Sequence, residues 1–266
     1  MTPEYYSARI APQLVGLGLL EAIPESSIAA LTDPNDADGD GVSGRIRTII
    51  DPVTGQSRIG RFGWNGGQAT VKQQVAGALN TDMGVMTSIF PSPDCGDAQS
   101  REKNGGELDD EHLDKLTQYL SLLGVHARRN TSDPDSARGE PLFDEAGCAD
   151  CHAPTFQTSD YHPHAERRSQ MIHPYTDLLL HDMGVGLADN LTEGNASGAE
   201  WRTPPRWGIG LTEDVSGGEA YLHDGRARNL NEAILWHGGE AESAKQAFED
   251  MPEDDKDALL VFLRSL

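Results

Sequence analysis

Residues 139–154 read GEPLFDEAGCADCHAP, and the pentapeptide Cys148-Ala149-Asp150-Cys151-His152 inside them organises everything around it. Two thiols three positions apart on one helical turn, with an imidazole directly after the second, form the CxxCH pattern of c-type haem attachment. The spacing has a chemical reason. Each thiol adds to one vinyl group of a single porphyrin, and the adjacent imidazole falls beneath the iron as proximal ligand. Two other chemistries use a CxxC pair. A thioredoxin-type redox site needs a βαβ pattern around it, and a zinc site needs two more ligands at matching spacing. Neither pattern surrounds residues 148–152. Cys148, Cys151 and His152 are therefore expected to hold haem c.

Haem iron has a second axial position, for which eight other histidines and six methionines compete. Asn229 and Glu232 make an Asn-x-x-Glu capping pattern. On the helix that follows, Leu230, Ile234 and His237 share one side before Gly238 and Gly239. His237 is thus the expected sixth ligand, with His181, Met183 and His223 as alternatives. His112, His126, His162, His164 and His173 stand in polar surroundings and read as exposed.

Working outward, short helical patterns alternate with long loops. Ile10, Leu14, Leu17 and Leu20 suggest a helical face between Pro3 and Ile23. Thr70 opens a helix carrying Val71, Val75, Ala78 and Leu79 that ends before residues 80–84. Leu113, Leu116, Leu120 and Leu123 mark another, stopped by Gly124. The polar run RRNTSDPDSAR (128–138) reads as a linker, followed by a short helix from Ala137 to Ala146. Pro252 opens a terminal helix with Leu259, Phe262, Leu263 and Leu266 on one stripe. The expected fold is mainly α. A cytochrome c-like C-terminal domain with long loops (133–266) follows a partial N-terminal helical, loop-rich region (1–132).

Acidic residues outnumber basic ones 43 to 21, giving a formal charge of −22 that repels nucleic acid phosphates and anionic lipid. No apolar run approaches the roughly 20 residues of a membrane span. MTPEYYSARIAPQ lacks the charged, apolar and small-residue regions of a secretory signal. Asp36-Ala37-Asp38-Gly39-Asp40-Gly41 follows the opening rhythm of an EF-hand loop. Asp36, Asp38, Asp40 and the Val42 carbonyl are expected calcium ligands, with Asp33 or Asn35 in support. The twelfth position, however, is Arg47 rather than the bidentate Glu. Cys95 has no spare cysteine to pair with and reads as a free thiol.

Beyond the haem motif, the segments LLLHDMGVGLAD (178–189), EWRTPPRWGIGL (200–211), YLHDGRARNLNEAILWHGGEA (221–241) and VFLRSL (261–266) stand with RFGWNGGQATVKQQVAGALNTDMG (61–84). Together they resemble the di-haem oxidoreductases, also labelled thiol oxidoreductases, a family related to bacterial cytochrome c peroxidases. The resemblance implies a distal iron ligand at the position of His237. Arg202 and Arg226 are candidates for pairing haem propionates, since guanidinium forks match carboxylates, with ordinary surface or structural arginine as the alternative. The resemblance also implies two CxxCH motifs, whereas this chain has one. With the missing signal, that points to residues lost upstream of Met1. The expected function is periplasmic electron transfer to or from a redox partner protein or small-molecule oxidant. A haem peroxidase or thiol oxidoreductase is the rival enzyme, and a calcium-stabilised binding module without redox role is a third class.

Overall fold

A computed structural model describes residues 6–92 and 106–266; Cys95 lies outside them. The described helices are α1 (Leu17–Glu21), α2 (Glu25–Ala29), α3 (Val71–Met83), α4 (Asp110–Ser121), α5 (Pro134–Glu145), α6 (Thr212–Ser216), α7 (Leu230–Leu235), α8 (Glu242–Asp250) and α9 (Glu253–Ser265). Strands form three two-stranded antiparallel ribbons: β1 (Thr48–Ile50) with β2 (Ser57–Ile59), β3 (Phe156–Gln157) with β4 (Met171–Ile172), and β5 (Leu180–Asp182) with β6 (Glu200–Arg202). The chain is mainly α.

Local chemistry explains most boundaries. The Thr70 side chain accepts from Gln73 N–H at 3.1 Å and starts α3, which runs past the expected stop to Met83 before Gly84 turns left-handed. Asp109 caps α4 by accepting from His112 N–H at 2.9 Å. The Asn229 side chain caps α7 on Glu232 N–H at 2.8 Å. Two expectations need correcting. Half of the supposed linker is helix, because Asp133 is a cap and Pro134 takes the first helical position, where a missing N–H costs nothing. The helix expected from Pro3 shrinks to α1, since Gly16 turns left-handed (φ 73°) just before Leu17. Residues 6–14 are not helical. Instead Ile10 N–H donates to the His223 carbonyl, and the Trp64 indole donates back to Ile10.

Two apolar cores result. The first gathers Leu20, Ile23 and Ile28 with Val71, Val75 and Leu113, and recruits Phe156, Ile172, Leu178, Leu179 and Trp207 from beyond residue 132. Arg61 is buried beneath it and donates to the carbonyls of Leu20 and Ile23, at and just past the end of α1. The second core joins Phe143 of α5, Leu230 of α7, Phe248 of α8 and Leu259, Phe262 and Leu263 of α9.

Helices α5 and α9 approach so closely that a Cβ on Gly139 would lie 2.1 Å from the Ala258 carbonyl oxygen. Gly139→Ala is expected to destabilise the protein by about 1–3 kcal/mol through overpacking, despite the better helix propensity of alanine. In α3, the same Cβ on Gly77 meets nothing nearer than 3.7 Å, so Gly77→Ala should stabilise by about 0.5–1 kcal/mol. Urea unfolding of both variants reads the contrast. Equal shifts of one sign would show that the two helices are not in contact.

Candidate functional site

Helix α5 ends at Glu145 and Gly147 turns left-handed (φ 77°), so Cys148–Asp150 wind into one tight 3-10 turn. Cys148, Cys151 and His152 then face a single cavity, closed on the other side by Leu230, Ala233, Ile234 and His237. Its atom-free space is about 1360 Å³ with the solvent at its mouth included. The floor comes from the second core: Phe143 packs edge-on to Tyr175 and Phe262 and leans on the His152 ring, centroids 6.2 Å apart.

Both imidazoles are set for metal ligation. His152 Nδ1 lies 3.1 Å from the Tyr175 carbonyl, and His237 Nδ1 lies 2.7 Å from the Ala233 carbonyl. A carbonyl only accepts, so Nδ1 carries the proton in each ring and Nε2 keeps its lone pair, the arrangement that orients metal-binding histidines. Burial keeps both neutral. It holds His152 well below the usual histidine value, assisted by the Arg206 charge, and pushes His237 down to about 4.

The thiols are free and half-buried, and their desolvation raises their affinity for the proton: Cys148 is pushed up to about 12, and Cys151 is raised as well. A redox CxxC needs the opposite shift, toward thiolate. The only cluster of three metal-ligating acidic, histidine or cysteine side chains among the described residues lies elsewhere, so a zinc site here lacks its further ligands.

Of the alternative ligands, His181 is taken. Its Nε2 lies 2.7 Å from Asp177 and its Nδ1 2.8 Å from Glu240, with Cys151 Sγ 3.5 Å away. It lines the cavity as a structural cation between two carboxylates. His223 stacks on Trp201 at 3.7 Å, and Met183 also lines the cavity. Arg202 lines it too, but donates to the carbonyls of Gly63 and Thr203. Arg226 does not line it: its guanidinium bonds Asp224 and the Gly186 carbonyl and lies over the Trp236 ring. Sequence reasoning passed over Arg206, whose Nη2 sits 3.1 Å from His152 Nε2. The one signal was its place after the rigid Pro204-Pro205 pair, which fixes where the side chain enters.

The acidic loop departs from its expected ligand set. Oxygens of Asp33, Asp36 and Asp38 converge within 4.8 Å of one another, whereas Asp40 stands outside the cluster and accepts from Val42 N–H at 2.8 Å. Val42 lines the cavity. Arg47, at the twelfth position, turns to the Asn65 carbonyl and Glu193. The loop lies against the cysteine turn: besides burial, Asp40 and Asp38 raise the pKa of Asp150.

Protonated thiols at thioether spacing, two neutral imidazoles with unprotonated Nε2 atoms and an apolar cavity behind them fit a porphyrin, so fold and site together define a mainly α haem protein. The chain belongs to the di-haem oxidoreductase family: the family model described as "Di-haem oxidoreductase, putative peroxidase" matches residues 5–266. A solved structure of hydrazine synthase from Kuenenia stuttgartiensis, pressurised with xenon, is 20% identical at a TM-score of 0.38. That match covers 61% of this chain and 57% of the other, so the chain spans less than two thirds of that neighbour's length. No curated protein matches.

Proposed function

We propose that this chain is a c-type cytochrome of its family, moving single electrons through a haem held covalently by Cys148 and Cys151. His152 would bind the iron from the attachment side and His237 from α7. The carrying observation is that both thiols and both Nδ1-anchored imidazoles line one cavity. The bound haem supplies one-electron chemistry at a potential set by its axial ligands and burial.

The residues explain what the protein contributes. The Tyr175 and Ala233 carbonyls hold each ring's proton on Nδ1, and the apolar walls from α7 and α9 exclude water. If His152 and His237 both hold the iron, the protein would leave peroxide no open coordination place, which favours relay over peroxidase or thiol oxidase. A peroxide-reducing role requires His237 to leave. The family's second haem finds no second CxxCH in these 266 residues.

Thioether attachment places the protein in the periplasm or another extracytoplasmic compartment. Among the described residues no helix is long and apolar enough to cross a membrane. The partner is a redox protein or small oxidant, and the charge of −22 favours a basic docking face. For calcium, Asp33, Asp36 and Asp38 would be the ligands, without a closing Glu. Calorimetric titration of the full chain with calcium chloride that gives no binding heat would remove it.

His237→Ala in matured protein is the direct test. A six-coordinate absorbance spectrum should become five-coordinate, and peroxide should then oxidise the iron at least tenfold faster than in wild type. An unchanged spectrum would transfer the sixth position to Met183 or His223.

A further inference from the structure

The cavity is lined by a half-buried cation that no carboxylate of the described residues neutralises. Arg206 follows Pro204-Pro205 and is tied at its backbone N–H to the Pro174 carbonyl at 2.8 Å. Its guanidinium spans His152, with Nη2 3.1 Å from Nε2 and Nε 3.3 Å from Nδ1. Imidazole nitrogen is a poor substitute for an anion, and Nδ1 already donates to Tyr175. Among the described residues no carboxylate forms an ion pair with Arg206, although Arg45, Arg47, Arg58, Arg128, Arg138 and Arg226 each have one. Arg129, Arg168 and Arg202 also lack one, but each donates to backbone carbonyl oxygens, whereas among the described residues the Arg206 guanidinium meets only the His152 ring.

A charge held partly out of water without an anion is disfavoured, and such groups persist where a ligand completes them. The same cavity presents Cys148, Cys151 and His152 to a porphyrin, whose only charged substituents are its two propionate carboxylates. We propose, on the strength of the haem reading above, that Arg206 is the positioning residue that pairs with a porphyrin propionate. In the bare protein it occupies His152 Nε2, and it gives up that lone pair when the carboxylate arrives. The guanidinium fork matches a carboxylate in two parallel hydrogen bonds, which lysine cannot reproduce. Arg202 is less suited, because two of its nitrogens are committed to carbonyls. Arg226 lies outside the cavity lining.

The test uses the full chain made without haem maturation, with mesohaem and mesohaem dimethyl ester as probes. Mesohaem lacks vinyl groups, so binding is reversible, and the ester lacks the propionate charge. Wild type should prefer the diacid by roughly ten- to a hundredfold, the range of hydrogen bonds to charged groups. Arg206→Gln should abolish most of that preference while leaving ester affinity within about threefold. Arg206→Lys should keep an intermediate preference. Equal affinity of wild type for both probes would overturn the proposal. So would a parallel loss of both probes in Arg206→Gln and Arg206→Lys, which marks a structural role, or loss of the preference in Arg202→Gln alone. Binding of neither probe to wild type would sink the haem reading itself, an outcome distinct from the others.

Discussion

Cys148→Ala combined with Cys151→Ala is expected to abolish covalent retention of the porphyrin. Wild-type protein produced with c-type maturation should carry the mass of one haem beyond its polypeptide and stain for haem after denaturation, whereas the double variant should show the bare mass and no stain. The effect is all-or-none because covalent retention needs at least one thioether. Both sulfurs are placed for it, since they sit on one 3-10 turn, face the cavity and hold their protons, with Cys148 at about 12 through burial. Addition to a vinyl group forms an S–C bond and puts a proton on the neighbouring carbon, so each thiol supplies both the sulfur and the hydrogen that the addition consumes. Each single variant should keep one thioether and therefore the full mass increment, with weaker retention of ring orientation. His152 and His237 still offer Nε2 in the double variant, so reversible haem binding should persist and be lost on denaturation. Wild-type material with the bare polypeptide mass would reject the covalent cofactor.

How far the site is legible in the sequence depends on the range of each interaction. The cysteine turn is local, and its chemistry follows from spacing alone. His237 is nearly as local, because one helical phase aligns it with Leu230 and Ile234, and the Asn229 cap fixes that phase. His181 is different. Its role rests on Glu240, 59 positions away, so sequence alone leaves it among the possible iron ligands. Arg206 is hidden for a related reason: what marks it is the absence of a carboxylate, which only three-dimensional packing reveals. The N-terminal misreading has another origin. The apolar spacing from Ile10 to Leu20 is helical, yet Pro12 and the left-handed Gly16 break the backbone first, and Ile10 and Leu14 stay partly exposed. In the acidic loop, carboxylates were expected to converge by alternation. Asp40 instead turns back on Val42 N–H, and Asp33, outside the motif, takes its place.

His181→Ala should be the most damaging single substitution away from the cysteines. Burial alone opposes a charged imidazole, but its hydrogen bonds to Asp177, Cys151 and Glu240 outweigh that and push His181 up to about 12. Burial likewise opposes the Glu240 carboxylate, and His181, Ser43 and the Asp182 N–H overcome it, holding Glu240 down to about 2. Removing the cation leaves Asp177, 1% exposed, and Glu240 facing each other. Breaking a buried pair from one side costs about 3–5 kcal/mol, on the order of 10 °C in Tm for a chain of this size. The pH dependence gives the sign. A histidine raised above its ordinary 6.5 stabilises fully below that pH, and the contribution is lost as pH climbs toward about 12. A glutamate lowered from 4.5 stabilises above that value, and its contribution is lost as pH falls toward about 2. Wild type should therefore draw most from this cluster between about pH 4.5 and 6.5. Its urea midpoint should fall between pH 6 and pH 9, and His181→Ala should be lower at pH 6 but much flatter across that range. Identical slopes in the two proteins would mean that His181 is neutral in the folded state. Its two carboxylates would then have to be held by other donors, Ser43 and the backbone of Leu179 and Asp182.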